Sequence, residues 1–231
     1  TFFKQRWVRF YPLYILGALL GLIYFFGYHY QNQIALTPAS ALVVAPQFLM
    51  SPSGPNLLYS LNAPAWSLFA ELCVNVVYAL IWRRLTPLVF AILFVGSAIL
   101  MAAAAIAANQ LDVGWMWPNA IGGFARACFG FFAGVLLYRL HVRGALAPRI
   151  PTWVLFLLVA VLLSAPVPDA ARPYVDLAIA FVASPLLVFF AVRVTSHGVE
   201  RTISQALGRS SYALYAIHAP ALEWQIGRAH V

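Results

Sequence analysis

Long apolar runs separated by short polar connections dominate the chain. A helix that crosses about 30 Å of hydrocarbon needs roughly 20 apolar residues. The stretches that approach this length are 10–29, 64–82, 87–108, 118–138, 152–168, 175–192 and 210–225. The connections between most of them are too short to hold a soluble domain. The pattern therefore predicts an all-α fold, a polytopic transmembrane helical bundle with about seven spans.

Composition supports this prediction and excludes other classes of protein. Hydrophobic residues make up 63% of the 231 residues and charged residues only 9%, whereas soluble domains carry about 25% charge. An aromatic content of 15% excludes a disordered chain. Unbroken apolar runs such as 155–163 also differ from the alternating segments of a transmembrane β-barrel.

Lysine and arginine residues set the predicted topology. If the spans alternate from an inside N-terminus, eleven of the 14 basic residues fall in inside loops and only Arg172 falls outside. Such a split is typical of bacterial membrane proteins. The stretch 34–50 is uncharged and contains Pro38 and Pro46. Counting it as a span would invert this split, so we predict an interfacial or re-entrant segment on the outer side.

Four ionisable residues lie inside predicted spans, where a charge is costly and indicates function: Glu71, Arg126, Asp176 and His218. At 1.5 Å per residue, Glu71 lies about 10 Å and Arg126 about 12 Å below the outer face. Their similar depth and opposite charge suggest that they pair. The pair could lock two helices together, or it could line a polar cavity.

Polar residues around Glu71 share one face of the predicted helix. Glu71, Asn75 and Tyr78 follow the spacing i, i+4 and i+7, and Trp66 and Ser67 precede them by about one turn. A polar stripe in an apolar helix is expected to face the interior of a bundle.

The last predicted span repeats this arrangement. Ser211, Tyr215 and His218 fall on one face, with Tyr212 adjacent. His218 could be a structural histidine or a functional one.

Two further spacings have both a structural and a functional interpretation. Arg6 and Arg9 lie one helical turn apart before the first span. They could anchor the inside end of the span, or they could form a cytoplasmic clamp for phosphate groups. Gly130 and Gly134, which follow Arg126 on one predicted helix, would allow a close approach between helices.

Three segments together resemble the acyltransferase type 3 family of bacterial membrane enzymes, which includes O-antigen acetylases. Residues 6–14, RWVRFYPLY, resemble the family's RxxRxxPxY segment. Residues 62–71, NAPAWSLFAE, resemble its WSLxxE motif, and residues 207–218, LGRSSYALYAIH, resemble its LGxxSYxLYxxH segment. The helix from Arg126 to Gly134 is a weaker match.

The resemblance implies a longer domain than this chain. Such enzymes usually have about ten spans, so we expect 1–225 to be a partial membrane acyltransferase domain without its first helices and its last helix. The family carries a histidine in its first helix, which is expected to be the catalytic base. Residues 226–231 match the translation of a common sequencing adapter, and we expect them to be a non-native tail.

The resemblance also implies a reaction. The expected enzyme is an integral-membrane O-acyltransferase of the bacterial inner membrane, which moves an acyl group, in most cases acetyl, from cytoplasmic acyl-CoA to a hydroxyl of a carbohydrate or cell-envelope glycan. Its partners would be acyl-CoA, the glycan and the bilayer, without nucleic acid, metal or any cofactor besides the acyl-CoA donor. The alternative is a transporter or flippase for a glycan or an anion, with the buried charges lining its path.

The expected site combines the residues discussed above. The catalytic candidates are Glu71, Arg126 and His218. The substrate-binding candidates are Arg6, Arg9, Trp66, Ser67, Asn75, Tyr212 and Tyr215. Glu71 would orient the histidine or the sugar, while Arg126, Tyr215 and His218 give polar support. In the predicted topology, Arg6 and Arg9 meet the donor at the inner face, and Glu71 lies toward the outer face, where a glycan arrives.

Overall fold

The regular elements of this protein are helices. A computed structural model describes residues 2–144, 150–194 and 197–229, without the side chains of 2–7, 9 and 224–229. The helices are α1 (Phe2–Gln31), α2 (Pro38–Val44), α3 (Ala65–Ile81), α4 (Pro87–Ala108), α5 (Ala120–Val142), α6 (Thr152–Ser164), α7 (Arg172–Ala178), α8 (Ser184–Ala191) and α9 (Gly198–Ala229). A π-helical turn, Ile179–Ala183, joins α7 to α8, which confirms the all-α prediction.

Five helical segments in the described residues are long and apolar enough to cross a membrane. They are Phe10–Gln31, Ala65–Arg84, Pro87–Ala108, Trp117–Val142 and Asp169–Ala191. The predicted number of seven spans is not reached. Helix α6 has only 13 residues, about 20 Å, and α9 interrupts its apolar residues with polar and charged ones.

The stretch 34–50, which would invert the predicted topology if it were a span, contains a short helix. Residues Pro38–Leu49 continue α2 into a 3-10 turn, and 12 residues extend only about 18 Å. Pro38 occupies the first turn, where its missing N–H costs nothing. As predicted, this segment is too short to span a bilayer.

Local sequence explains several helix boundaries. Thr86 caps α4 by accepting a hydrogen bond from the backbone N–H of Val89 at 3.2 Å. Asn109 ends α4 in the left-handed conformation, with φ of 55°. Pro185 follows the π-helical turn, where its ring and missing N–H prevent a regular α-helical hydrogen bond. Helix α1 begins eight residues earlier than the predicted span and passes through Pro12.

The chain forms two compact units. Unit 1 comprises Thr1–Phe69, Trp115–Trp117 and Gln205–Val231, and unit 2 comprises Ala70–Gly114 and Pro118–Ser204. Large side chains fill the interior of unit 1, including Tyr14, Leu58, Tyr59 and Leu61, each only 1% exposed.

Two glycines of α1 bring the helix against its neighbours in unit 1. A Cβ atom at Gly21 would collide with the backbone oxygen of Leu61, and one at Gly17 would collide with the backbone oxygen of Ala216 and with the Asn62 amide. The spacing Gly17-x-x-x-Gly21 is the small-residue pattern that permits close backbone approach in membrane helices. By contrast, Cβ atoms at Gly130 and Gly134 would have nothing within 4 Å, so the predicted close approach at those two glycines is wrong.

Unit 2 has an aromatic core between α4, α5 and the α7–α8 segment. The Phe129 ring packs against the rings of Phe94 and Phe181, at centroid distances of 5.1 and 4.9 Å. Met101 and Ala105 are fully buried in the same cluster. Helices α4 and α5 therefore form an antiparallel pair, as expected for successive spans.

Hydrogen bonds also join connecting segments within each unit. In unit 1, the backbone N–H of Leu58 donates to Trp115 O at 3.0 Å. In unit 2, the Asn109 amide donates to Asp169 O at 3.3 Å. The first bond joins two connecting segments within unit 1, and the second joins two within unit 2.

Candidate functional site

A shared set of hydrogen bonds joins α9 to the start of α3. The Tyr215 hydroxyl donates to the backbone oxygen of Pro64 at 3.1 Å and contacts the hydroxyl of Ser67. The Ser67 hydroxyl also lies 3.1 Å from Pro64 O. Because each hydroxyl has only one proton, at most two of these three contacts are made at once. The Ser67 oxygen can in addition accept a hydrogen bond from a substrate hydroxyl.

A second tyrosine of α9 binds α1. The Tyr212 hydroxyl donates to the backbone oxygen of Phe10 at 3.0 Å, and the two rings pack with centroids 5.1 Å apart. Trp66, next to Ser67, is only 5% exposed. The three segments that carry the sequence motifs therefore meet in unit 1, although up to 202 residues separate the bonded pairs.

His218 lies one turn beyond Tyr215 on α9. Its Nδ1 is 2.8 Å from Tyr215 O, and the two rings are 5.6 Å apart. A carbonyl oxygen can only accept, so this contact assigns the proton to Nδ1 and leaves Nε2 as the acceptor of the neutral ring. The side chain is exposed. His218 can therefore accept a proton at Nε2.

Asn62 and Gln47 were missed by the sequence argument. The Asn62 amide donates to Ala216 O at 2.9 Å, while its buried Oδ1 has no donor among the described residues. Gln47, 1% exposed, accepts from the backbone of Leu61 at 3.0 Å and donates to Val43 O at 2.8 Å. These amides hold the connection that leads into α3. Two features of the sequence could have indicated them: Gln47 is an amide within a mostly apolar stretch, and Asn62 begins the NAPAWS segment.

In unit 1, the N-terminal part of α1 and the first turn of α3 both contact α9. Phe10 O and Ser67 Oγ bind tyrosines that lie only one turn apart on α9, and Gly17 of α1 packs against Asn62. Arg9 lies eight residues, about 12 Å along α1, from Gly17. The N-terminal part of α1 and the first turn of α3 therefore contact the same stretch of α9. The placement of Arg6 and Arg9 at the inner face and of Glu71 toward the outer face stays a prediction.

The polar stripe of α3 continues into unit 2. Glu71 follows Ser67 by one helical turn and is half-buried. The Asn75 amide donates to the backbone oxygen of Glu71 at 2.7 Å, and Asn75 is 2% exposed. The Tyr78 ring packs on Phe131 at 5.1 Å. Asn75 is thus engaged with its own helix rather than presented to an open space.

Arg126 and Asp176 bind the backbone of the same residue in unit 2, Leu111. The Arg126 guanidinium donates to Leu111 O at 2.6 Å, and the Asp176 carboxylate accepts from the Leu111 N–H at 3.0 Å. Leu111 is 9% exposed. This clamp, defined as Arg126, Leu111 and Asp176, fixes the connection between α4 and α5. The pairing of Arg126 with Glu71 stays a hypothesis.

Two predicted substrate-binding residues have side chains outside the described part of the chain. Arg6 and Arg9 belong to the first turns of α1. They precede Phe10, whose backbone receives the Tyr212 hydroxyl. No three potential metal-ligating side chains are grouped in the parts of the chain that the structure describes.

Comparisons with known proteins agree with the motifs. A family model described as an acyltransferase domain matches residues 1–224. Protein 2 in the picA locus of Rhizobium radiobacter is 34% identical over 121 residues, which cover 45% of this chain. The match spans 62% of that relative's own length. No solved structure matches the chain significantly.

Proposed function

The chain belongs to the acyltransferase type 3 family, and we propose that it transfers an acyl group, in most cases acetyl, from acyl-CoA to a hydroxyl of a carbohydrate. The observation that carries this proposal is the meeting of three motif segments in unit 1, through Tyr212 on Phe10 and Tyr215 on Ser67. Residues so distant in sequence are held together where a reaction needs several groups at one place.

The proposed reaction is the transfer of an acyl group from a thioester sulfur to an alcohol oxygen. The acceptor oxygen attacks the thioester carbonyl, the carbon–sulfur bond breaks, and the hydroxyl proton passes to a base and then to the CoA thiolate. Within this chain, His218 Nε2 can take this proton, and the Ser67 oxygen can accept a hydrogen bond that orients the acceptor hydroxyl. Glu71, one turn beyond Ser67, would orient the base or the sugar through its negative charge.

The donor would bind beside this site. Guanidinium groups bind phosphate through paired hydrogen bonds, and Arg6 and Arg9 directly precede Phe10. Because Phe10 and Ser67 lie close to neighbouring turns of α9, one reaction centre could receive the CoA phosphates and the thioester together.

A transfer assay tests the proposal. Membranes that contain the protein are incubated with radiolabelled acetyl-CoA and base-treated bacterial envelope polysaccharide. We expect alkali-labile label on the polysaccharide, and His218→Gln should reduce its rate at least tenfold. Tyr138→Phe, at a residue that is 68% exposed, is the matched control. Uptake of unmodified polysaccharide into vesicles, without ester formation, would favour the transporter alternative.

A further inference from the structure

Trp117 stands out because its indole is both held rigidly and half-exposed. Its backbone N–H donates to Asn56 O at 3.1 Å, and its indole Nε1 donates to Gly54 O at 2.8 Å. The side chain is nevertheless 47% exposed. The proposed reaction centre does not use this residue.

The segment that receives Trp117 is itself fixed by hydrogen bonds. The backbone N–H groups of Ser53 and Gly54 donate to Leu58 O at 3.0 and 3.3 Å, which closes a tight loop. Leu57 and Met116 form an antiparallel bridge. Asn56 and Trp117 are therefore opposite each other, and their side chains project on the same face.

The hydrogen bond to Gly54 distinguishes this tryptophan from an interfacial anchor. Tryptophans at membrane interfaces combine an apolar ring with a polar N–H at headgroup level. Here the N–H is already bound within the protein, so the exposed part is apolar ring. Asn56 is also exposed, and its side-chain amide makes no hydrogen bond to any described residue. Together they offer one flat apolar surface beside one amide.

We propose that Trp117 and Asn56 form a docking platform for the acceptor glycan, an inference that rests on the proposed carbohydrate acceptor. A pyranose ring has a face of C–H groups that packs on an indole through dispersion. Its equatorial hydroxyls can both donate to and accept from an amide at the edge. Because the ring is held before binding, little conformational entropy is lost when the sugar docks.

A matched pair of variants tests the platform. Trp117→Phe and Trp117→Leu both lose the bond to Gly54, but only phenylalanine keeps an aromatic face. The protein in nanodiscs is titrated with fluorescently labelled, base-treated envelope polysaccharide, and binding is measured by fluorescence polarisation. We expect Trp117→Leu to weaken binding about tenfold, Asn56→Ala about threefold, and Trp117→Phe less than threefold. Tyr30→Leu, at an exposed aromatic residue of α1, should leave binding unchanged.

If Trp117→Phe and Trp117→Leu weaken polysaccharide binding equally, or if neither weakens it, the platform is rejected. The platform is also rejected if the wild-type protein does not bind the polysaccharide. Transfer from acetyl-CoA is measured on the same samples and reports separately on the proposed function. Binding that depends on Trp117 without transfer would sustain the platform and reject the acyltransferase reaction on this acceptor. Transfer combined with binding that does not change in the Trp117 variants would reject the platform and support the acyltransferase reaction.

Discussion

Tyr215 of α9 contacts the hydroxyl of Ser67 in α3, although 148 positions separate the two residues in the chain. Both hydroxyls also reach Pro64 O at 3.1 Å, so removing either one leaves the other with Pro64 O but without the hydroxyl–hydroxyl contact. We expect Tyr215→Phe to reduce acyl transfer fivefold to tenfold, which corresponds to about 1 to 1.5 kcal/mol for one such hydrogen bond.

A double-mutant cycle separates this pair from two independent effects. Ser67→Ala combined with Tyr215→Phe should be little worse than the more damaging single variant, because the same interaction is lost in each. Transfer rates in membranes, normalised to the amount of folded protein, provide the measurement. Strictly additive losses would show that the two hydroxyls act separately.

The close approach at Gly21 predicts a contrast between two glycines of α1. In Gly21→Ala the new methyl group meets the backbone oxygen of Leu61, and such overpacking costs about 1 to 3 kcal/mol. A Cβ at Gly27 has nothing within 4 Å, and alanine is a better helix former by about 0.5 to 1 kcal/mol. Thermal unfolding in detergent should show a lower Tm for Gly21→Ala and an unchanged or higher Tm for Gly27→Ala.

Equal Tm values for these two variants would contradict the packing of α1 against Leu61. A lower Tm for Gly27→Ala alone would do so even more directly. Transfer activity is recorded in parallel, because Gly17 lies against Asn62 and Ala216, and Gly21 lies against Leu61.

The Leu111 clamp predicts how the connection between α4 and α5 loosens. Arg126→Met keeps an apolar stem but removes the donors to Leu111 O, and a hydrogen bond to a charged group contributes about 1.5 to 3 kcal/mol. We expect faster hydrogen exchange in residues 109–114, measured by mass spectrometry. Asp176→Asn should have a smaller effect, because its side-chain oxygen still accepts from the Leu111 N–H.

Unchanged exchange in Arg126→Met would show that the clamp does not hold this connection. The variant also bears on the role of Arg126 in the proposed reaction. If exchange increases while the transfer rate per folded molecule is preserved, Arg126 positions a loop and does not contact substrate.

Hydropathy and helix length predicted most of the fold. An apolar run of 22 residues such as Pro87–Ala108 has few alternatives in a bilayer, because every backbone group must be satisfied internally. The same argument failed at α9, where the predicted span at 210–225 lies within a longer, more polar helix, Gly198–Ala229. Residues within 210–225 pack against other helices, and the spacing of residues along the sequence does not show which helices these are.

The site was predictable in its members but not in its arrangement. The motifs identified Ser67, Tyr212 and Tyr215, because hydroxyls within apolar helices need partners. Which partners they find depends on tertiary contacts, and two of those partners are backbone oxygens, of Phe10 and Pro64. A backbone oxygen carries no sequence signature.

The carboxylate of Glu71 gives the sharpest test of the proposed chemistry. Glu71→Gln keeps the size of the side chain and its hydrogen-bonding capacity but removes the negative charge. If that charge orients the base or the sugar, transfer should fall about 100-fold, within the range that acid–base and electrostatic effects supply. Glu200→Gln, in the first turn of α9, is the matched control and should retain full activity. The Tm of both variants should stay close to that of the wild type, since a large drop for Glu71→Gln would instead indicate a structural ion pair. Full transfer by Glu71→Gln would remove Glu71 from the reaction.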